Sequence, residues 1–226
     1  MKDKKHYVLY SQGFGVTKTD RGLFTDISGS MPDMKHILFD YNKIDAENNT
    51  LTVTSLQDQV ALFREHLSNI EEDATVDVIA HSQGCLVAAL ARPERVGKTL
   101  FLAPPASVDV DQLISFFGDR PNSKIDVSGV SQVSRRDGST TIIPAAYWKS
   151  IEGLNPVRHY NRLAELTKLT MFIAADDEVL GYSPFEGIND GVISLVEISA
   201  NHDFTGESRN TIIEIIKSEL GSKTSQ

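Results

Sequence analysis

The stretch Val76-Asp77-Val78-Ile79-Ala80-His81-Ser82-Gln83-Gly84-Cys85-Leu86-Val87-Ala88 changes character within five residues. A β-branched apolar run leads in, and an apolar run suited to a buried helix leads out. Between them Ala80-His81-Ser82-Gln83-Gly84 has the pattern small-x-Ser-x-Gly. The spacing predicts a strand, a tight turn centred on Ser82, and a helix. Only small residues two before and two after the serine let strand and helix pack closely around such a turn. The turn lifts the hydroxyl out of the sheet and brings the following N–H near a helix N-terminus, where it can stabilise an oxyanion. The ordinary alternative is that Ser82 is a helix N-cap. That role does not call for small residues on both sides.

Similar apolar runs recur on either side. They occupy residues 6–10, 36–40, 76–80, 99–103, 169–174 and 192–198. Most are nearly continuous rather than alternating, which suits strands buried on both faces of a parallel sheet. Residues 55–69 carry Leu56, Val60, Phe63 and Leu67 at helical spacing, with Ser55 and Asp58 forming a capping-box-like start. Residues 208–220 carry Ile212, Ile213, Ile216 and Leu220 on one stripe, with Gly221 as a stop. Strands alternating with helices predict an α/β architecture. Residues 104–168 break the rhythm, since a βα connection needs far fewer. They hold an apolar segment with Leu113, Ile114, Phe116 and Phe117, and a predicted hairpin, 127–134 and 140–143, around Asp137-Gly138. Trp148 and a helical segment at 155–166 follow. The stretch reads as an insertion over one edge of the sheet.

The pentapeptide in its strand–turn–helix setting resembles the nucleophile turn of the α/β-hydrolase family, and other matches follow in the family's order. Leu169-Thr170-Met171-Phe172-Ile173-Ala174-Ala175-Asp176-Asp177-Glu178-Val179-Leu180 is similar to the strand that ends at the family's acid. Ser199-Ala200-Asn201-His202-Asp203-Phe204 is similar to the histidine loop before the last helix. Gln12-Gly13-Phe14-Gly15 resembles the His-Gly-x-Gly oxyanion loop, with Gln12 in place of the histidine. Ala80, Cys85 and Ala174 stand where glycines are usual, and none of these departures removes a catalytic group. The resemblance implies an α/β-hydrolase fold with a mostly parallel sheet of about six strands, helices on both faces and a small cap. It implies one domain over residues 1–226, with the cap at about 104–168. It also implies Ser82 as nucleophile, His202 as base and Asp177 as acid, with adjacent Asp176 the alternative, and the backbone N–H groups of Phe14 and Gln83 as the oxyanion hole. The Asp-Gly hairpin followed by Ala145-Ala146-Tyr147-Trp148 looks like the cap of small bacterial carboxylesterases related to feruloyl and cinnamoyl esterases.

Other residues invite weighing. His6, His36, His66 and His159 have no catalytic context and read as structural or solvated, and His81, inside the turn, as packing. Tyr147, Trp148 and Tyr160 line a pocket or pack the cap onto the body. Arg135 and Arg136 fit a solvated pair better than a receptor for an acidic substrate group. A single cysteine, Cys85, excludes an internal disulfide and any zinc site of two or more thiolates. A net charge of −9 argues against a polyanionic partner such as nucleic acid. The apolar run after the charged N-terminus is too short for a secretory signal, and no run is long enough for a membrane span. A cytoplasmic protein with no membrane contact is the default. The expectation is therefore a serine hydrolase of a small-molecule carboxylic ester, with no cofactor and no metal. Thioesterase, peptidase and acyltransferase activities use the same constellation, and a ligand-binding protein on the same scaffold is the alternative outside catalysis.

Overall fold

The apolar runs alternate between two cores. In the strand of residues Thr75–His81, Val76, Val78 and Ala80 face one hydrophobic cluster while Ile79 faces another. Successive strand side chains point to opposite faces, so a strand covered on both sides needs apolar residues at nearly every position. The structure is a computed structural model that describes residues 4–135, 137–181 and 183–221. Its strands are β1 His6–Ser11, β2 Lys35–Ile37, β3 Lys43–Asp45, β4 Thr50–Thr52, β5 Thr75–His81, β6 Lys98–Leu102, β7 Val130–Ser134, β8 Thr140–Pro144, β9 Lys168–Ala174 and β10 Ser194–Ile198. Its helices are α1 Leu23–Gly29, α2 Leu56–Ser68, α3 Gln83–Ala91, α4 Val110–Gly118, α5 Ala145–Ile151, α6 Pro156–Ala164 and α7 Glu207–Gly221.

Six strands form a parallel sheet in the order β10-β9-β6-β5-β1-β2. One face carries α2, α3 and α6, whose Phe63, Val87 and Leu163 meet Leu9, Val78, Phe101 and Met171. The other carries α1 and α7, whose Phe24, Ile27, Ile212 and Ile216 meet Val8, Tyr10, Leu100 and Phe172. These are the helices on both faces that the sequence predicts. Among the described residues no helix is long and apolar enough to cross a membrane.

Several boundaries differ from the sequence reading for identifiable reasons. The second strand stops at Ile37 instead of running to residue 40. Asp40 instead accepts the Lys18 N–H at 2.6 Å, and Phe39 stacks on His66 with ring centroids 4.0 Å apart. The last strand begins at Ser194, two residues late, and Val192 lies exposed ahead of it. The Ser55 cap is half a capping box: its hydroxyl accepts the Asp58 N–H at 3.2 Å and donates to the Asp58 carboxylate at 2.7 Å. Gly221 is the last residue of α7 rather than the residue after it.

Residues 104–168 contain α4, the β7–β8 hairpin, α5 and α6. The hairpin is not isolated. β8 pairs in parallel with β4, and a second sheet runs β3-β4-β8-β7. The β3–β4 hairpin had no clear signal, because three-residue strands around Glu47-Asn48-Asn49 carry too few side chains to show a period.

Candidate active site

Four loops meet beyond the carboxyl ends of β1, β5, β9 and β10, where open parallel sheets place their ligands. Ser82 sits between β5 and α3 with φ 53° and ψ −127°, a strained backbone for a residue with a side chain. Its N–H donates to the Leu102 carbonyl at 2.9 Å, which ties the turn to the neighbouring strand. Gly84 makes this close packing possible. A Cβ there would lie 2.0 Å from the Ser11 carbonyl oxygen. Ser11 Oγ donates to the Gly84 carbonyl at 2.8 Å, so the Tyr41 hydroxyl, 2.8 Å away, donates to Ser11.

Ser82 occupies the N-cap position of α3, yet its hydroxyl makes no capping bond. It lies 3.0 Å from His202 Nε2. His202 Nδ1 lies 2.7 Å from Asp177 Oδ2, and Asp177 Oδ1 accepts the N–H groups of Val179 at 2.9 Å and Leu180 at 2.8 Å. Ser82 is 9% exposed and His202 3%. Burial by itself would raise the Asp177 pKa. The hydrogen bond and charge of His202, with the two N–H donors, outweigh it and hold the carboxyl below its ordinary value. Asp176, adjacent in sequence, is exposed, and its carboxylate faces Ser199 Oγ at 3.3 Å. The structure thus brings Ser82, His202 and Asp177 into one hydrogen-bonded chain and leaves Asp176 outside it.

The loop Gln12-Gly13-Phe14-Gly15 lies against the serine: a Cβ on Gly13 would be 3.2 Å from Ser82 Cβ. Among the described residues no protein group accepts the N–H of Phe14 or Gln83. The side chains of these two residues have partners that the backbone argument did not require. Gln83 Oε1 accepts the Tyr147 hydroxyl, and Gln83 Nε2 donates to Gln59 Oε1 at 3.0 Å. The Phe14 ring stacks on Phe117 at 5.2 Å and tilts against Tyr147 at 5.1 Å. Segment 104–168 is thereby anchored to both the turn and the Gln12–Gly15 loop. Trp148 and Tyr160 are buried, with Trp148 Nε1 donating to Ser131 Oγ at 3.1 Å and the Tyr160 hydroxyl to the Pro105 carbonyl at 2.9 Å. Both pack into the core; Trp148 also lines one edge of an open depression, and Tyr160 does not. Two open depressions, of about 640 and 390 Å3, flank this segment, and neither is lined by Ser82 or His202. The hydrogen-bonded chain, not concavity, locates the site.

The remaining candidates resolve as follows. His6 pairs with Asp77 at 2.7 Å, and His36 lies between the Tyr10 hydroxyl and the Met31 carbonyl. Burial pushes the Cys85 thiol well above its ordinary pKa, so it stays protonated and inert. Arg135 donates to the Gly15 carbonyl and is therefore not simply solvated; Arg136 lies outside the described residues.

Sequence reasoning missed three contributors. Glu178 Oε2 accepts the His202 N–H at 3.1 Å. His81, read as packing, is buried but also hydrogen-bonded at both ring nitrogens, to Asp20 Oδ2 at 3.0 Å and to the His202 carbonyl at 2.9 Å. Asp20 itself carried no signal, because an Asp-Arg-Gly turn is common on protein surfaces. His81, His202 and Asp203 also bring ligand atoms within 4.8 Å of one another. Their ring nitrogens are already engaged by Asp20, the His202 carbonyl, Asp177 and Ser82, and Asp203 pairs with Arg21, so a metal would have to displace these partners.

No protein-family model matches the chain, and no curated protein sequence does. Solved structures do. Est1E from Butyrivibrio proteoclasticus with bound ferulic acid is 14% identical, with TM-score 0.68, over 99% of this chain and 91% of that one. The esterase domain of a Rhodothermus marinus protein is 18% identical, with TM-score 0.66, over 97% and 88%. The α/β hydrolase GrgF from Penicillium sp. sh18 is 14% identical, with TM-score 0.64, over 97% and 89%. At these identities the likeness is one of fold, and it is the α/β-hydrolase fold.

Proposed function

We propose that this chain is a serine hydrolase that cleaves carboxylic esters through an acyl-enzyme on Ser82. The observation that carries the reading is the chain Ser82 Oγ–His202 Nε2–Asp177 at 3.0 and 2.7 Å, set on a turn held at positive φ. A binding protein has no need of that strain or of a buried histidine–carboxylate couple.

In this reading Ser82 Oγ attacks the ester carbonyl as His202 Nε2 takes its proton. Asp177 accepts from Nδ1–H, fixing the tautomer that leaves Nε2 free to act as base, and then stabilises the imidazolium. The N–H groups of Phe14 and Gln83 receive the developing oxyanion; each such donor is typically worth about 3 kcal/mol. His202 returns the proton to the leaving alcohol, and water, activated by the same imidazole, releases the acid. Neither a metal nor an organic cofactor enters any step.

The Phe14 ring, half-buried beside Phe117 and Tyr147, supports an aromatic acyl group lying flat against it. Ferulic acid bound to the similar fold of Est1E points to the same class. A fluorophosphonate probe tests the reading. Wild type is expected to label and Ser82→Ala to stay unlabelled; a wild type without serine-dependent labelling sinks it. A panel of p-nitrophenyl and hydroxycinnamate esters, with thioester and amide controls, then ranks the substrates.

A further inference from the structure

A second acid and imidazole lie behind Ser82. Asp20 is 2% exposed and His81 1%. One carboxylate oxygen, Asp20 Oδ2, accepts the Gly13 N–H at 2.9 Å and also faces His81 Nδ1 at 3.0 Å. On the far side of the ring, Nε2 faces the carbonyl oxygen of His202 at 2.9 Å. Three segments therefore meet through two side chains: the oxyanion-like loop, the residue before Ser82, and the loop that carries His202.

We propose that Asp20 and His81 are positioning residues, a buried aspartate–imidazolium pair that holds the loop of Gly13 and the backbone of His202 in register with Ser82. The proposal rests on the reading of Ser82, His202 and Asp177 as a triad. Its chemistry follows from counting protons. A neutral imidazole has one N–H, yet both nitrogens of His81 face oxygen acceptors, one a carboxylate and the other a carbonyl. With a single proton, one nitrogen lone pair would point at an oxygen lone pair inside the protein. The ring therefore carries both protons, and the Asp20 charge compensates the second. The other charged or titratable groups facing the pair are His202, with ring centroids 5.0 Å apart, Asp203, Arg21 and Cys85.

The backbone around Asp20 supports a purpose beyond packing. Asp20, Arg21 and Gly22 are consecutive residues at positive φ, 46°, 52° and 89°, although two of them have side chains. Asp20 Oδ1 is buried with no hydrogen-bond partner among the described residues. A strained turn and a half-satisfied carboxylate are unfavourable, and they persist where the surroundings over-determine them. Those surroundings converge on His202. Its N–H is held by Glu178 and its C=O by His81, while Arg21 pairs with Asp203 at 2.6 Å and Arg209 donates to the Asp203 and Phe204 carbonyls.

Asp20→Asn is the discriminating variant, because it keeps the shape and removes the charge. An amide oxygen in the place of Oδ2 can still accept the Gly13 N–H, but it carries no charge to compensate a second proton on His81. The expected results are a kcat lower by about 10- to 100-fold, with KM within about threefold, as for a displacement of about 1 Å in a reacting group. His81→Gln is expected to behave alike, and the double variant to lose no more than the worse single variant, since the two act as a unit. Nitrogen-15 NMR reads the pair directly: at pH 8, wild-type His81 is expected to show two protonated ring nitrogens, and Asp20→Asn one. A wild-type His81 with one protonated nitrogen overturns the proposal. So do single variants with kcat within twofold of wild type, or losses that multiply in the double variant. The NMR measurement on wild type decides the pair even if a variant fails to fold. A wild-type protein that the fluorophosphonate probe never labels would instead count against the triad reading.

Discussion

Gly84→Ala adds one methyl group at the point where α3 passes the end of β1. An ideal Cβ at this position would be 2.0 Å from the Ser11 carbonyl oxygen, 2.5 Å from the Ser11 carbonyl carbon and 2.7 Å from the Gln12 carbonyl oxygen. Real Cβ atoms do not come within 3.0 Å of such neighbours, so strand and helix must part by about 1 Å. The neighbours are main-chain atoms and are tied down: Ser11 pairs with Ala80 in the β1–β5 ladder, and its hydroxyl bonds the Gly84 carbonyl. Overpacking of this kind costs about 1–3 kcal/mol, and the better helix propensity of alanine returns about 1 kcal/mol. A net loss of up to about 2 kcal/mol lowers the melting temperature of a chain this long by up to about 8 °C. The Phe14 N–H lies two residues beyond Gln12, so the same displacement reaches the oxyanion-like loop and is expected to lower kcat by about 100-fold. Gly29→Ala, at the end of α1, is the control. Its Cβ meets nothing within 4 Å, so it should stabilise by about 0.4–1 kcal/mol. Thermal melts followed by circular dichroism, paired with p-nitrophenyl ester turnover, measure both effects. If Gly84→Ala melts at or above wild type and keeps kcat within threefold, the steric argument is wrong.

Asp177→Asn is expected to lower kcat by about 10³- to 10⁴-fold through the wrong His202 tautomer, while Asp176→Asn stays near wild type. The opposite ranking in steady-state kinetics would transfer the acid to Asp176. Ser82→Gly removes the strain of φ 53° and is expected to abolish turnover while stabilising the fold by about 1 kcal/mol; a lower melting temperature would refute the assignment of strain. Stability should fall on both flanks of pH. Asp20 and Asp177 have lowered pKa values in the folded state, so their contribution is present above the unfolded carboxylate range and is lost as pH falls through the folded values. Asp20 and its partners raise the His81 pKa against burial, so its contribution is complete below the unfolded histidine value and is lost as pH rises through the folded one. Melting temperature against pH is expected to lose its alkaline slope in Asp20→Asn; profiles that run parallel to wild type would count against the pair.

The parts of the molecule that were legible in the sequence are those where one local rule dominates. β5, α3 and the turn between them were readable because burial on both faces demands an apolar run and close packing demands Gly84. The places of Asp177 and His202 came instead from the resemblance to the α/β-hydrolase family, since no local rule marks an acid or a histidine in a loop. The preference for Asp177 over Asp176 rested on the resemblance alone, because adjacent carboxylates have the same composition and differ only in direction. The fold sends one to Ser199 and the other to His202.

The sequence by itself determined the alternation of buried strands and helices, and with it the end of the sheet where the four loops meet. Tertiary structure alone decided what those loops hold in common. β8 joins β4 across nearly ninety residues of chain, Tyr147 reaches Gln83, and Asp20 reaches His81 from a turn with no sequence signal. Hydrophobic periodicity is a property of neighbours along the chain and survives in one dimension. A hydrogen bond between side chains depends on distance and angle in three, and no spacing in the sequence encodes it.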